Sequence, residues 1–208
     1  MAFGYYMNME RMTLDIAREH LNYMTNDNML YDVFLDEIKL INNVKNGFII
    51  ITQLNVFVES FVNTILNKCI GYNKEQLLKT SVDEKLEIIF LYYKKDFSII
   101  KSQHMWEKYK KILKVRNEMI HYKKTYIGDG TGIPNFSITN IEVKEFFTKR
   151  YMEQAISEII LLGDKIAKNL DLNVFHNIDI FECDGRDGLV NYVYDKNITD
   201  IDETRFEQ

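Results

Sequence analysis

Residues that favour loops or cross-links are scarce in this chain. Its 208 residues include one proline, 9 glycines and 2 cysteines. So few prolines and glycines argue against long linkers and disordered regions. Cys69 and Cys183 lie far apart in apolar surroundings, without the spacing of a disulfide framework or a metal site. We therefore expect packed thiols in a reducing compartment, which favours a cytoplasmic protein.

Long apolar runs are also lacking. The longest, GFIII from Gly47 and LEIIFLYY from Leu86, are far shorter than the roughly 20 residues that a membrane span requires. The first residues, MAFGYYMNMERM, do not have the basic head and apolar run of a targeting segment. We therefore expect no membrane association.

Positive charge is in deficit overall but concentrated locally. The net charge is −5, yet residues 94–124 contain ten basic and three acidic side chains. The rest of the chain therefore carries about −12. A basic stripe of this kind is typical either of a solvated, lysine-rich helix face or of a surface that binds phosphate groups.

Apolar residues recur at helical spacing along most of the chain, so we predict an all-α protein, an antiparallel bundle of four or five helices. Asn46-Gly47 is a predicted helix stop, and the sequences Ser81–Glu84 and Thr139–Glu142 are predicted capping boxes that begin helices. The predicted helices cover about 8–24, 28–45, 48–70, 82–93, 103–122 and 140–170.

Three regions follow from this pattern. Residues 1–27 are a predicted N-terminal helical extension, 28–170 the helical bundle, and 171–208 a small appendage. The appendage contains two predicted short strands, 178–183 and 189–194, which form a hairpin before an acidic tail.

One position breaks the helical pattern. On a wheel of about 100° per residue, the apolar side chains of the helix 103–122 cluster within roughly 120°, and Arg116 falls near the middle of them. A guanidinium stays charged, so burying it alone is costly. It requires a carboxylate of its own chain, such as Glu59, or an exit to the edge of the bundle, or a cleft for a ligand phosphate.

Two neighbours favour the phosphate cleft. His121 lies near the predicted end of the helix, where the helix dipole favours an imidazolium, although a histidine there is often only a cap. Asn117 lies one turn earlier on the same flank and can hydrogen-bond the ring or a substrate oxygen. Arginine, asparagine and histidine together can bind a phosphate and move a proton without a metal.

Arg116, Asn117 and His121 resemble the motif of a known family. Arg116-Asn117, then three residues and His121, late in the helix WEKYKKILKVRNEMIH, resembles the motif of the HEPN superfamily. The preceding segment SVDEKLEII and the earlier helix LNVFVESFVNTILN, with its acidic Glu59, are similar to the family's order of helices. The resemblance covers roughly residues 28–170.

The resemblance implies a helical bundle that forms a homodimer, bringing two motifs together in a cleft. It also implies a metal-independent endoribonuclease without cofactors, of the kind found in phage defence and toxin–antitoxin systems, with an antitoxin or defence partner. Arg116 would stabilise the phosphorane, His121 would act as general base or acid on the ribose 2′-OH, and Asn117 would orient His121 or the substrate. The basic side chains Lys110, Lys114, Lys123 and Lys124 would bind the RNA backbone.

The sequence also allows other interpretations of these residues and of the function. Glu59 is either part of a solvated stripe or a partner of Arg116 or His121. His104 and Glu107 make a poor metal pair because no third ligand is near in sequence. The protein could instead be a non-catalytic adaptor of the same fold that binds RNA, a nucleotide or a protein, or a bundle in which Arg116 only forms an internal salt bridge.

Overall fold

The computed structural model describes residues 9–26, 33–70, 79–121, 137–138, 141–174 and 193–195. This part of the chain is mostly helical and forms a helical bundle. The helices are α1 (Met9–Tyr23), α2 (Val33–Ile70), α3 (Val82–Tyr92), α4 (Ser98–Lys101), α5 (His104–His121), α6 (Val143–Phe146) and α7 (Lys149–Asn169).

The centre of the bundle is the helix α2, which contacts α1, α3, α5 and α7. In its second half, the buried apolar residues recur at spacings of three and four and cover about half of the helix circumference, as expected for a helix that packs against several neighbours. The buried residues of that half include Ile50, Ile51, Leu54, Phe57, Val58, Phe61, Val62, Ile65 and Leu66. The stretch Ile38–Asn67 is long and apolar enough to cross a membrane, but 56% of its most apolar window is buried inside the structure, as in a core helix.

The predicted stop at Asn46-Gly47 is wrong, because α2 runs through it without a break. Gly47 is buried, and a Cβ atom added there would overlap the ring of Phe147, which is itself buried. The glycine therefore allows two elements to approach closely instead of ending a helix. Packing of this kind overrides the weak local preference of glycine.

The boundaries of the other helices follow local signals more closely. Ser81 caps α3 in a complete capping box with Glu84, as predicted. The second predicted box does not begin the last long helix. Residues 137–138 and 141–142 instead form a short antiparallel strand pair, β1 (Ser137–Ile138) with β2 (Ile141–Glu142), and the helix α7 is capped by Thr148.

Beyond α7, strand β3 (Leu172–Val174) pairs antiparallel with β4 (Val193–Asp195). Most of the predicted hairpin, 178–183 and 189–194, lies outside the described residues.

Two antiparallel packings position the functional region. Contacts between His20 and Asn46 and between Glu10 and Thr64 place α1 against α2 in opposite directions. His104 faces Glu158, and Lys108 lies over the ring of Tyr151, so α5 and α7 are also antiparallel. The other side of α5 faces α3 and α2.

Candidate functional site: a charged cluster around Tyr109 and Arg116

The helix α5 presents its buried side chains in one series of i, i+3 positions: Trp106, Tyr109, Ile112 and Val115. At 100° per residue this series spans about half of the helix circumference, and Arg116 falls near its middle. The wheel therefore placed Arg116 correctly on the inward face. Ile120, near the end of the helix, is 47% exposed.

Arg116 is partly buried and lacks a full set of partners. Its Nη1 donates to Oδ1 of Asn117 at 2.9 Å. Its Nε is buried and donates to no group in the described part of the chain. The ion pairs between described residues do not include this guanidinium. A buried charged donor without an acceptor costs free energy that a bound anion would recover.

The two carboxylates on the facing helices are each engaged by a lysine. Glu59 on α2 accepts from the Nζ of Lys85 at 3.5 Å. Asp83 on α3 accepts from the Nζ of Lys110 at 2.6 Å. Neither acid forms an ion pair with Arg116.

Tyr109 is a buried phenol on the same inward face of α5 as Arg116. Its side chain is fully buried, and burial is the main reason why the pKa of its phenol lies well above its usual value. The negative charges of Asp83 and Glu59 raise this pKa further, and the positive charge of Arg116 opposes them. We call Glu59, Asp83, Lys85, Tyr109, Lys110 and Arg116 the charged cluster.

The charged cluster joins three helices, α2, α3 and α5, and contains three cations and two carboxylates. Its formal charge is therefore one positive unit, and the cation without a carboxylate is Arg116. An anion placed at the guanidinium would complete both the charge balance and the hydrogen bonding of Nε.

The predicted site residues are brought together only in part. Arg116 and Asn117 are in contact, and the Asn117 oxygen accepts from Arg116. His121 is the last residue of α5, but its side chain lies outside the description. Lys114 is exposed, Lys110 is engaged by Asp83, and residues 123 and 124 lie outside the described residues.

Glu59 and His104 both have partners other than those considered from the sequence. Glu59 was a candidate partner of Arg116 or His121, and it pairs with Lys85. The Nε2 of His104 lies 3.5 Å from Glu158 of α7. Within the described part of the chain, no group of three or more His, Cys, Asp or Glu side chains has the arrangement of a metal site.

Sequence reasoning missed Lys85, Asp83 and Tyr109. The signal for Lys85 was present, because it precedes Leu86 and lies four residues before Ile89, on the buried face of α3. A lysine on the buried face of a helix requires a partner for its charge, as Arg116 does. Which acid would meet it could not be predicted, because the acid belongs to another helix.

A second polar group lies between α5 and α7. The Nζ of Lys108 is 3.7 Å from the centre of the Tyr151 ring. Burial lowers the pKa of Lys108, Glu158 opposes that shift, and Lys111 adds to it. Tyr151 Oη and Glu158 Oε2 are buried and form no hydrogen bond with described residues. This group faces away from the charged cluster, on the other flank of α5.

The chain matches no family model, no curated protein and no solved structure.

Proposed function

We propose that this protein is a metal-independent endoribonuclease of the HEPN type, which acts in the cytoplasm as a homodimer. One observation carries the proposal. Arg116 lies on the inward face of α5, and its buried Nε has no hydrogen-bond partner among the described residues, while Glu59 and Asp83 are each engaged by a lysine. A phosphodiester is the anion that the planar guanidinium binds with two parallel hydrogen bonds.

In the proposed reaction, Arg116 binds the nonbridging oxygens of the scissile phosphate and stabilises the charge that grows on them. His121, five residues later at the end of the helix, removes the proton of the ribose 2′-OH. The 2′ oxygen attacks phosphorus, the bond to the 5′ oxygen breaks, and a 2′,3′-cyclic phosphate forms. An imidazolium, His121 of the same or the second subunit, protonates the leaving 5′ oxygen.

A second subunit would complete the site. In the arrangement that the resemblance implies, two subunits bring their motifs together in one cleft. The biological setting that the resemblance implies, phage defence or a toxin–antitoxin pair, is part of the same proposal.

The test is cleavage of single-stranded RNA in EDTA, with the product ends analysed for cyclic phosphate. We expect cleavage by the wild type, and a rate lower by about a hundredfold or more in His121→Ala and in Arg116→Ala. His104→Ala, at the exposed start of the same helix, is the matched control and should retain the wild-type rate.

Three outcomes would contradict the proposal. Binding of RNA without cleavage would support the non-catalytic adaptor. Equal rates in wild type and His121→Ala would indicate a contaminating nuclease. Unfolding of Arg116→Ala together with no RNA binding by the wild type would assign Arg116 a structural role only.

A further inference from the structure

The hydrogen bond between Arg116 and Asn117 joins two adjacent residues of one helix. Neighbours along an α-helix project about 100° apart and do not normally face each other. The Nη1 of Arg116 nevertheless donates to Oδ1 of Asn117 at 2.9 Å, the usual length of such a bond. Since Arg116 starts on the inward face of α5, its guanidinium end must bend toward the flank on which Asn117 lies.

The chemistry of arginine determines which atom of Asn117 makes this contact. A guanidinium has five N–H donors and no acceptor, so the amide oxygen, and not the amide nitrogen, must face it. The carbonyl oxygen of Asn117 is therefore engaged by Arg116. This differs from the role that the resemblance implies, in which Asn117 orients His121 or the substrate.

The contact also determines which edge of the guanidinium remains for a ligand. Nη1 is the amino group on the side of Cδ, whereas Nη2 lies on the same side as the Nε proton. Among the described residues, Nη1 donates to Asn117, while the buried Nε and Nη2 have no hydrogen-bond partner. The Nε–Nη2 edge therefore retains two parallel donors, which match two oxygens of a phosphate.

The flank toward which Arg116 bends is also the flank from which the proposed proton-transfer residue starts. Asn117 and His121 are four residues apart in sequence and about 40° apart around the helix. A fully inward guanidinium would point away from that flank. The bend toward Asn117 therefore favours contact of Arg116 and His121 with one phosphate, as the proposed reaction requires.

We propose that Asn117 is a positioning residue: its amide oxygen holds Nη1 of Arg116, so that the Nε–Nη2 edge of the guanidinium is presented to a phosphate of RNA. The phosphate in this statement rests on the proposed function. The hold of Asn117 on the guanidinium does not, because it is a property of the protein alone.

The first measurement needs no ligand. The hydrogen bond to Asn117 should slow rotation of the Arg116 guanidinium about its Nε–Cζ bond, which 15N–1H NMR of arginine side chains follows. Rotation should become faster in Asn117→Ala, which removes the acceptor, and in Asn117→Leu, which removes it at similar volume. Asn117→Asp retains an acceptor and should keep the rotation slow. The signals of Arg11, on α1, are the internal control and should not change.

The second measurement is a double-mutant cycle with single-stranded 2′-O-methyl RNA, which has no free 2′-OH and is not cleaved. Asn117→Ala should weaken binding by about tenfold, as expected when one charge-assisted contact is misplaced. Arg116→Lys keeps the charge but removes the fork. In that background Asn117→Ala should change binding by less than about twofold, because there is no edge left to orient.

Asn169→Ala is the matched control for the cycle. The Asn169 side chain is in α7 and donates to the carbonyl of Lys165. Its removal should change binding by less than about twofold in the wild-type and Arg116→Lys backgrounds alike.

The two measurements separate the two claims. Faster rotation in Asn117→Ala with no RNA binding by the wild type would refute the proposed function and leave the hold on Arg116 intact. Equal losses of binding on Asn117→Ala in the wild-type and Arg116→Lys backgrounds would show that Asn117 acts on His121 or on RNA itself, and would overturn the proposal. Unchanged rotation, or unchanged binding in the wild-type background, would also overturn it.

Discussion

At the residue scale, individual buried polar atoms lower the stability of this protein. Tyr151 Oη, between α5 and α7, and Arg116 Nε, in the charged cluster, are buried and have no hydrogen-bond partner in the described part of the chain. A buried polar group loses its hydrogen bonds to water, and without a new partner this loss costs stability. In Arg116 we connect that cost with ligand binding. In Tyr151 it can be tested directly.

We expect Tyr151→Phe to leave stability unchanged or to raise it by about 1 kcal/mol, because the change removes a buried hydroxyl that has no described partner. Urea denaturation measures the difference. Tyr23→Phe is the control, since the Tyr23 hydroxyl is at the surface and donates to Glu19; it should shift stability by less than about 0.5 kcal/mol. A loss of more than about 1 kcal/mol in Tyr151→Phe would mean that the hydroxyl has a partner.

The same tyrosine predicts a pH dependence. Burial first, and the Glu158 charge second, raise the pKa of Tyr151 from 10.0 to about 12. The folded protein therefore retains a proton that the unfolded chain releases near 10. This contribution to stability is complete below pH 10 and is lost as the pH rises through about 12.

To isolate it, unfolding free energies of the wild type and Tyr151→Phe are compared at about pH 9 and about pH 11. The wild type should lose more stability than Tyr151→Phe over this interval. The contributions of Lys108 and other shared groups largely cancel in the comparison. Parallel losses in the two proteins would show that the phenol titrates normally.

Two glycines in helices give a matched pair. A methyl group at Gly47 would overlap the Phe147 ring, whereas at Gly163 its nearest contact would be the Phe57 ring at an ordinary 3.8 Å. We expect Gly47→Ala to destabilise the protein by about 1–3 kcal/mol through overpacking. Gly163→Ala should stabilise it by about 0.5–1 kcal/mol, because alanine loses less backbone entropy. Thermal denaturation of both variants checks the opposite signs.

At the scale of the element, α3 carries two of the six residues of the charged cluster, Asp83 and Lys85, and its first turn is held by the capping box. The Ser81 hydroxyl accepts from the Glu84 N–H at 3.3 Å, and the Glu84 carboxylate accepts from the Ser81 N–H at 2.9 Å. The backbone N–H and then the hydroxyl of Ser81 lower the pKa of Glu84. Asp83 and Lys85 follow directly, so fraying of this turn would move both ion pairs.

We expect Ser81→Ala to cost about 1 kcal/mol, the usual loss when an N-cap is removed. The cap also depends on the charge of Glu84. Since the folded-state pKa of that carboxyl is lowered, its contribution is present above the ordinary value of 4.5 and is lost as the pH falls through the lowered value.

Ser157→Ala is the control for this element. Ser157 is exposed in the interior of α7, and its hydroxyl bonds back to the Glu153 carbonyl. Alanine there should be neutral or slightly stabilising. Equal losses in both serine variants, measured by denaturation, would show that the cap contributes nothing specific.

At the scale of the whole molecule, a chain of net charge −5 concentrates its positive charge around α5. RNA binding by such a protein would be driven by the local basic surface and opposed by the acidic remainder. Asp83 matters here, because it neutralises Lys110 at 2.6 Å on the flank that also carries Asn117.

Asp83→Asn should therefore strengthen RNA binding severalfold, and the slope of log affinity against log salt should become more negative by about 0.7, the value for one more phosphate contact. Fluorescence anisotropy over a salt series, with His121→Ala as background, gives both quantities. Glu87→Gln, which releases Lys101 in the same way, is the control for net charge alone and should have a smaller effect. Identical slopes in the two variants would show that Lys110 makes no phosphate contact.

Local signals determined much of the helical structure. Periodicity predicted α1 and α5 to within about two residues, and the spacing of Ser81 and Glu84 predicted the cap of α3, because these features depend on residues a turn or two apart. The inward position of Arg116 followed from the same periodicity. The roles of Arg116, Asn117 and His121 in the proposed reaction still rest on the resemblance of these residues to a known motif.

Only the tertiary structure determined the roles of the residues that depart from the local patterns of these helices. Gly47 continues a helix because Phe147 packs against it, and Thr148 begins α7 where the predicted box at Thr139 does not. Glu59 pairs with Lys85, 26 positions away, and the ion pairs of the described residues do not include Arg116. The sequence determines where each charge lies along its own helix. Charges and rings from different helices come into contact only when the helices pack, and the packing determines which faces oppose each other. The surroundings of Arg116 therefore followed only from the tertiary structure.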